Sequence, residues 1–251
     1  METVKIQNGS DGIEIIDLRV PRSRKEITVN FSLRFNKRSA PWIDEAIDKI
    51  WNELYEKNQR LYNGSKFRFS NLNILVDQVV LDVGLSCYKD LLGTNCHSLG
   101  RELQEYGLEN HKDPRSCLAD VLGVGSLLLT SDNQFLFIKR ALWTGEDSGK
   151  VDRPGGHPEP DNVPQLSQHA DRPEHSNNQI REEIFDSVLN EIRDEINLPR
   201  ETLSDPLLIG FVRNLERFGR PTAEFIVRYH WFILKSDYLD FRDKVAFILW
   251  H

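Results

Sequence analysis

Several things are scarce in this 251-residue chain, and each scarcity excludes a class of protein. Three cysteines, Cys87, Cys96 and Cys117, are too few and too irregularly spaced for a disulfide framework or a zinc knuckle. They imply reduced, mostly buried thiols in a cytoplasmic or nuclear compartment. No apolar run approaches the roughly 18–20 residues that a membrane span needs, so no membrane partner is expected. The opening METVKIQNGSDG lacks the basic-then-apolar pattern of a secretory signal. Clusters of lysine and arginine are missing too. Lys+Arg number 32 against 39 Asp+Glu, for a formal charge of −7. That argues against a nucleic-acid polymer as partner, because such binders need basic clusters to displace counterions. No segment repeats. With 39% hydrophobic and 28% charged residues, the chain has enough apolar surface to fold as one large domain or two small ones.

The acidity that is present is concentrated. Residues 146–205 hold 15 acids and 6 bases, while the rest of the chain holds 24 acids and 26 bases. One stretch of 60 residues therefore carries all the net negative charge. It is either a solvated loop or a cage for a hard cation.

Local patterns place this stretch. IEIIDLRV (13–20) and ITVNFSLRF (27–35) alternate like strands and suggest a hairpin. From Pro41 to about Tyr55 apolar residues recur at three and four, which predicts a helix with proline in its first turn. Residues 66–85 alternate again. A short helix over Leu99–Tyr106 is expected to stop at Gly107. A boundary falls near residue 115, followed by two apolar strands joined at Ser131-Asp132-Asn133. Residues 157–178 hold four prolines and no apolar period, so they read as an irregular loop, a flexible spacer or a lid. Ile180, Ile184, Val188, Ile192 and Ile196 then mark a long amphipathic helix. It should end near Asn197, since Pro199 cannot continue it. Strands are expected at 207–212 and 225–234.

Opposite the apolar stripe this helix carries Glu191 and Glu195, one turn apart, with Asp194 beside them. Their carboxylates rise on one side roughly 6 Å apart along the axis. Like charges at this spacing destabilise a helix unless something neutralises them. Magnesium takes one or two carboxylates plus waters and substrate phosphates, so this pair suits it; a solvated acidic face is the plainer alternative. Gly155-Gly156, between the apolar strands and the acidic helix, lets backbone approach a ligand closely.

Asn190–Leu198 reads NEIRDEINL, with Glu182 upstream and Gly155-Gly156 before it. This arrangement resembles a Nudix hydrolase. The Nudix box runs Gly, five residues, Glu, seven residues, Arg-Glu-apolar-x-Glu-Glu-x-Gly-apolar. Here Asn190 replaces the arginine, Asp194 one glutamate and Asn197 the closing glycine, and about 20 extra residues part the glycines from Glu182. An ordinary box search could miss the chain. PGGHPEP, SVLNEIRDEINLP, GLSCYKDLLGTN (84–95), LADVLGVG (118–125) and the spaced pairs Arg213-Asn214, Gly219-Arg220 and Ala223-Glu224-Phe225 are similar to the branch of the superfamily that cleaves uridine diphosphate sugars.

The resemblance implies an α/β fold: a Nudix α/β/α sandwich with a mixed sheet over residues 116–251, carrying the inserted loop 157–178. A smaller α+β N-terminal domain over 1–115 would contribute to the nucleotide site. It further implies magnesium-dependent hydrolysis of UDP-glucose or UDP-galactose to UMP and sugar 1-phosphate. By position, Glu191 and Glu195 become magnesium ligands and, with Asp194, the catalytic carboxylates. Tyr62, Tyr88, Arg140, Gly145, Asp152, His157 and Glu159 become substrate contacts. The chemistry is consistent. A metal ion neutralises a pyrophosphate and orients water, Arg140 offers a planar phosphate donor, and tyrosines stack on uracil. The general base is left open among Glu195, Glu182, Glu224 and the metal alone.

The last residues, DYLDFRDKVAFILWH, do not resemble the family's end, where a further strand and a helix complete the sandwich. Their absence would expose sheet and an edge strand. Two rivals follow: a shortened, catalytically impaired chain that binds nucleotide or metal without turnover, and a hydrolase of another nucleoside diphosphate derivative.

Overall fold

A computed structural model of the chain describes residues 6–8, 12–139, 149–164, 166, 176–230 and 246–250. IEIIDLRV lies within β2 (Ile13–Arg22), with β1 (Ile6–Asn8) antiparallel on its edge. ITVNF becomes β3 (Ile27–Phe31). The two do not form a hairpin: β2 and β3 lie in different sheets. A 3-10 turn at Arg24–Glu26 separates them, where the Ser23 N–H and hydroxyl donate to Glu26 at 2.9 and 2.7 Å. Ile16 and Leu18 of β2, and Ile27, Val29 and Phe31 of β3, are buried in one shared core. The strands approach that core in separate sheets, which a period of two cannot foretell.

Helix α1 (Pro41–Lys57) begins on Pro41 as expected and buries Ile43 and Ile47 beside Leu103, Cys117 and Leu118. Strands β4 (Ser65–Ile74) and β5 (Val79–Cys87) pair antiparallel, and β3 adds to β5 in parallel, giving a sheet in the order β3-β5-β4. Helix α2 (Tyr88–Gly93) follows directly. Helix α3 (Leu99–His111) runs through Gly107 and takes its left-handed cap at Lys112, φ 60°, which corrects the expected stop. Gly107 is small for another reason. A Cβ there would lie 2.6 Å from the Asp113 carbonyl and 2.8 Å from Ser116 Oγ.

The larger sheet is built from β6 (Gly123–Leu129), β7 (Phe135–Lys139), β8 (Val151–Asp152), β9 (Gly155–Gly156), β10 (Leu207–Asn214), β11 (Arg220–Arg228) and β12 (Ala246–Trp250), together with β1 and β2. Its order among the described residues is β1-β2-β10-β11-β6-β7-β12, with β8 on β7 and β9 on β6. The β11–β6 pair is parallel and the others are antiparallel, so the sheet is mixed, as expected. The terminal AFILW run forms β12 along β7.

The amphipathic helix is α4 (Asn177–Ile196), closed by Asn197 at φ 60° as its sequence predicts. It packs against β3 of the small sheet and β6 and β9 of the large one. Ile180, Ile184, Phe185, Val188, Leu189, Ile192 and Ile196 join a single buried cluster that includes both sheets. Phe69 and Phe211 meet across it with ring centroids 5.0 Å apart, and Phe185 meets Phe225 at 5.1 Å. The start of the proline-rich loop belongs to this core: Pro160–Asn162 is a 3-10 turn and Val163 is buried. No helix among the described residues is long and apolar enough to cross a membrane.

Candidate active site

Two glycines and two glutamates define the site. Strand β9 pairs with β6 at Val124↔Gly156 and Gly125↔Gly155. A Cβ on Gly155 would sit 2.5 Å from the Val124 carbonyl, so only glycine permits this pairing. A Cβ on Gly156 would sit 1.9 Å from Glu191 Oε1, so the bare backbone makes room for that carboxylate. One turn on, Glu195 Oε2 accepts the Gly155 N–H at 3.0 Å. The apolar stripe of α4 fixes the helix on the sheet, and its rotation aims Glu191 and Glu195 at the glycine strand.

Glu191 sits where a negative charge is unfavourable unless something offsets it. Burial pushes the Glu191 carboxyl above its ordinary range, and Asp194 and Glu159 add to this; the His157 backbone N–H and Lys66 oppose it. Asp194 acts only through its field. It is exposed and bonds Arg193 at 2.7 and 3.1 Å, which holds its own carboxyl below the ordinary range. The structure seats Glu191 and Glu195, but not Asp194, against the Gly155–Gly156 strand.

A cavity of about 270 Å³ opens here, lined by Asp152, Gly155, Gly156, His157, Glu195, Arg220 and Thr222 among others. Asp152 Oδ1 accepts from the Arg153 N–H and Nη1 at 2.9 and 3.0 Å. His157 is packed so closely that lost hydration, with Arg220 and Lys66 nearby, pushes its pKa down to about 3. Its ring is therefore neutral at physiological pH. Glu159 pairs with Lys66 of β4, and its N–H donates to Glu183 at 2.9 Å. Tyr62 is 76% exposed, with its Cε1 3.2 Å from where a Cβ on Gly64 would stand. Tyr88 donates its N–H to the Gly64 carbonyl at 3.0 Å and packs half-buried on Leu91, Ala119 and Val121. Arg140 and Gly145 lie outside the described residues.

The candidates for general base separate. Glu182 bonds Arg24 and Arg181, away from the cavity. Glu224 is 7% exposed and clasped by Nε and Nη2 of Arg153. Glu195 is the one of the three that lines the cavity. The cysteine thiols are unbridged, and burial pushes Cys87 and Cys117 up, which makes them poor nucleophiles.

No family model matches the chain. Relatives do. It is 37% identical over 212 residues to the uridine diphosphate glucose pyrophosphatase NUDT22 of Mus musculus, a match covering 82% of this chain and 68% of that protein. It is 31% identical over 222 residues to Nudix hydrolase 9 of Arabidopsis thaliana, covering 82% of this chain and 70% of the plant protein. The chain belongs to the Nudix hydrolase family. A solved MutT protein from Methanosarcina mazei Go1 matches at 18% identity and a TM-score of 0.30, covering 45% of this chain and 65% of that one.

Nudix hydrolases generally work with a divalent metal, and the residues here fit one. Among the described residues no three His, Cys, Asp or Glu side chains form a closed cage. Two carboxylates on one helical turn beside an open cavity suit instead a hard cation that keeps waters and shares substrate oxygens. Sequence reasoning missed Lys66, Arg153, Glu183, Arg220 and Thr222. Arg220 stands within the quoted Gly219-Arg220 pair and Arg153 directly precedes the quoted PGGHPEP block, so both could have been found there. Lys66 carries no local signal, because the alternation of KFRF places it and Arg68 alike. Arg68 turns out to be a brace, donating to Leu118, Phe35 and Arg115 carbonyls at 3.0, 2.8 and 2.8 Å.

Proposed function

We propose that this chain is a magnesium-dependent pyrophosphatase that splits UDP-glucose or UDP-galactose into UMP and sugar 1-phosphate. The observation that carries the reading is the seating of Glu191 and Glu195 against Gly155–Gly156, in a chain 37% identical to a mouse uridine diphosphate glucose pyrophosphatase. The two glutamates would hold the ion. When bound, magnesium neutralises the pyrophosphate and makes its phosphorus open to water.

The chain's own residues supply the rest. Glu195 lines the cavity and can hold the attacking water and take its proton. Neutral His157 offers an uncharged ring that does not compete with the cation. Asp152 and Glu159 can accept from sugar hydroxyls or the uracil N–H. Tyr62, with its face in solvent, is free to stack on uracil; such stacking contributes roughly 1–3 kcal/mol. Tyr62, just before β4 of the small β3-β5-β4 sheet, thereby brings that part of residues 1–115 into reading the nucleotide, while β1 and β2 belong to the large sheet.

The test is direct. Purified protein is incubated with magnesium and a panel of nucleotide sugars, and UMP and sugar 1-phosphate are measured, with Glu195→Gln as control. Expected are turnover of UDP sugars well above ADP-glucose and a loss on the order of 10²–10⁴-fold in the control. No turnover of any nucleoside diphosphate by folded protein would refute the enzyme. Equal use of ADP-glucose would refute uridine selectivity.

A further inference from the structure

We infer that Lys66 is a substrate-binding residue, an ammonium that the N-terminal sheet delivers to the pyrophosphate of the bound nucleotide. The inference rests on the pyrophosphatase reading above. Three observations carry it.

The first is position. A Cβ on Gly64 would lie 3.2 Å from Tyr62 Cε1 and 3.7 Å from Lys66 Nζ, so the exposed ring and the ammonium flank one point. The same ammonium pairs with Glu159, and its charge reaches Glu191 and His157. Lys66 thus neighbours the ring that can hold a base and, through Glu159 and its charge, the carboxylates that can hold a metal. A nucleoside diphosphate has its phosphates between those same two ends.

The second is burial. The Lys66 side chain is only 12% exposed, whereas its partner Glu159 is 40% exposed. Ordering a long side chain and stripping its head of water costs free energy that one solvent-facing pair does not return. A second anionic partner gives the position a purpose.

The third is redundancy. The Glu159–Asn162 turn does not depend on Lys66. Glu183 accepts from the Glu159 N–H at 2.9 Å and from Asn162 Nδ2 at 3.0 Å, and Ser65 Oγ donates to Asp161 at 2.8 Å. An ion pair that anchors nothing is available for exchange. When substrate binds, Lys66 can turn from Glu159 to phosphate, leaving Glu159 to accept from the sugar.

Steady-state kinetics with UDP-glucose and magnesium, alongside melting temperatures, test this. Lys66→Met and Lys66→Gln should raise KM about 10- to 100-fold with kcat little changed, the loss expected for a charge-assisted bond. The glutamine variant can still bond Glu159, so it remains informative if the methionine variant folds poorly. Lys66→Arg should recover most of the affinity. Ser65→Ala, which removes an anchor of the turn, should lower the melting temperature and leave KM alone. A normal KM in folded Lys66→Gln, with turnover by the wild-type chain, would overturn this inference alone. Absence of any turnover by the wild-type chain would overturn the pyrophosphatase reading and this inference with it.

Discussion

Adding one methyl group to each glycine of the Gly155–Gly156 pair should have opposite consequences. At Gly156 the new Cβ would lie 1.9 Å from Glu191 Oε1 and 2.3 Å from Cδ, where real contacts begin at 3.0 Å. The obstacle is the end of a flexible side chain, so the carboxylate swings away and the backbone stays. The swing gives up the bond from the His157 N–H, worth roughly 1.5–3 kcal/mol for a charged acceptor. It also releases a carboxyl whose burial is unfavourable, as its raised pKa shows. These terms offset, so stability should change by only about 1 kcal/mol, or about 2–4 °C in melting temperature for a chain of this size. Activity should not survive as well, because misplacing a reacting or metal-holding group by about 1 Å costs on the order of 10²-fold. Gly155→Ala meets the Val124 carbonyl at 2.5 Å and the Gly125 Cα at 3.2 Å, and backbone cannot swing. It should cost roughly 1–3 kcal/mol through forced displacement of β9. UMP release from UDP-glucose and thermal melts on both variants provide the assay. A Gly156→Ala protein with kcat/KM within about threefold of wild type would refute the claim that Glu191 works from this seat, since a shift of about 1 Å should cost far more.

Other substitutions separate roles the sequence ran together. Asp194→Asn should leave kcat/KM within about threefold, because an exposed pair such as Asp194–Arg193 contributes little; a hundredfold loss would return Asp194 to the site. Arg153→Met strands the buried Glu224 carboxylate and should destabilise by roughly 3–5 kcal/mol, read in denaturant melts; an unchanged midpoint would mean that Glu224 finds another partner. His157 stays neutral in the fold down to about pH 3 but takes a proton near 6.5 when unfolded. Below 6.5 the unfolded state therefore binds more protons, and stability falls as pH drops through that window. His157→Gln should flatten the fall, and identical pH profiles would count against the neutral ring. Asn197→Ala should cost about 1 kcal/mol at the left-handed cap while Asn197→Gly is neutral or better; equal melting temperatures would argue against strain there.

What the sequence made legible was local. The 3.6-residue period of α4, the cap at Asn197 and the spacing of Glu191 and Glu195 needed no knowledge of the rest of the chain. What it hid was partnership. Alternation identified β2 and β3 as strands, yet their sheets are chosen by residues more than 50 positions away: β3 by Val79–Val83, β2 by Leu208–Asn214. Asp194 looked equivalent to its neighbours because it is close on the helical wheel. The glycine strand, however, meets Glu191 and Glu195, and the flank carrying Asp194 faces water and Arg193. Lys66 and Arg68 share one face of one strand; only the tertiary neighbours make one a brace and leave the other beside the site.

The same distinction explains how the box survives its insertion. Twenty-five residues separate Gly156 from Glu182 where the motif has five. If the motif worked as a contiguous loop, that change would destroy it. Here the contact between Gly156 and Glu191 is set from two independent directions. Pairing with Val124 and Gly125 fixes the glycines on β6, and the buried isoleucines fix α4 against the same strand. The intervening segment has only to connect them, and loop-closure entropy grows only as the logarithm of loop length. A fivefold increase costs about 1.4 kcal/mol. Val163, buried in the core, and the Glu183 bonds to Glu159 and Asn162 shorten the free span and reduce even that. The insertion is therefore tolerated because the site is held by a sheet and a helix rather than by the chain between them.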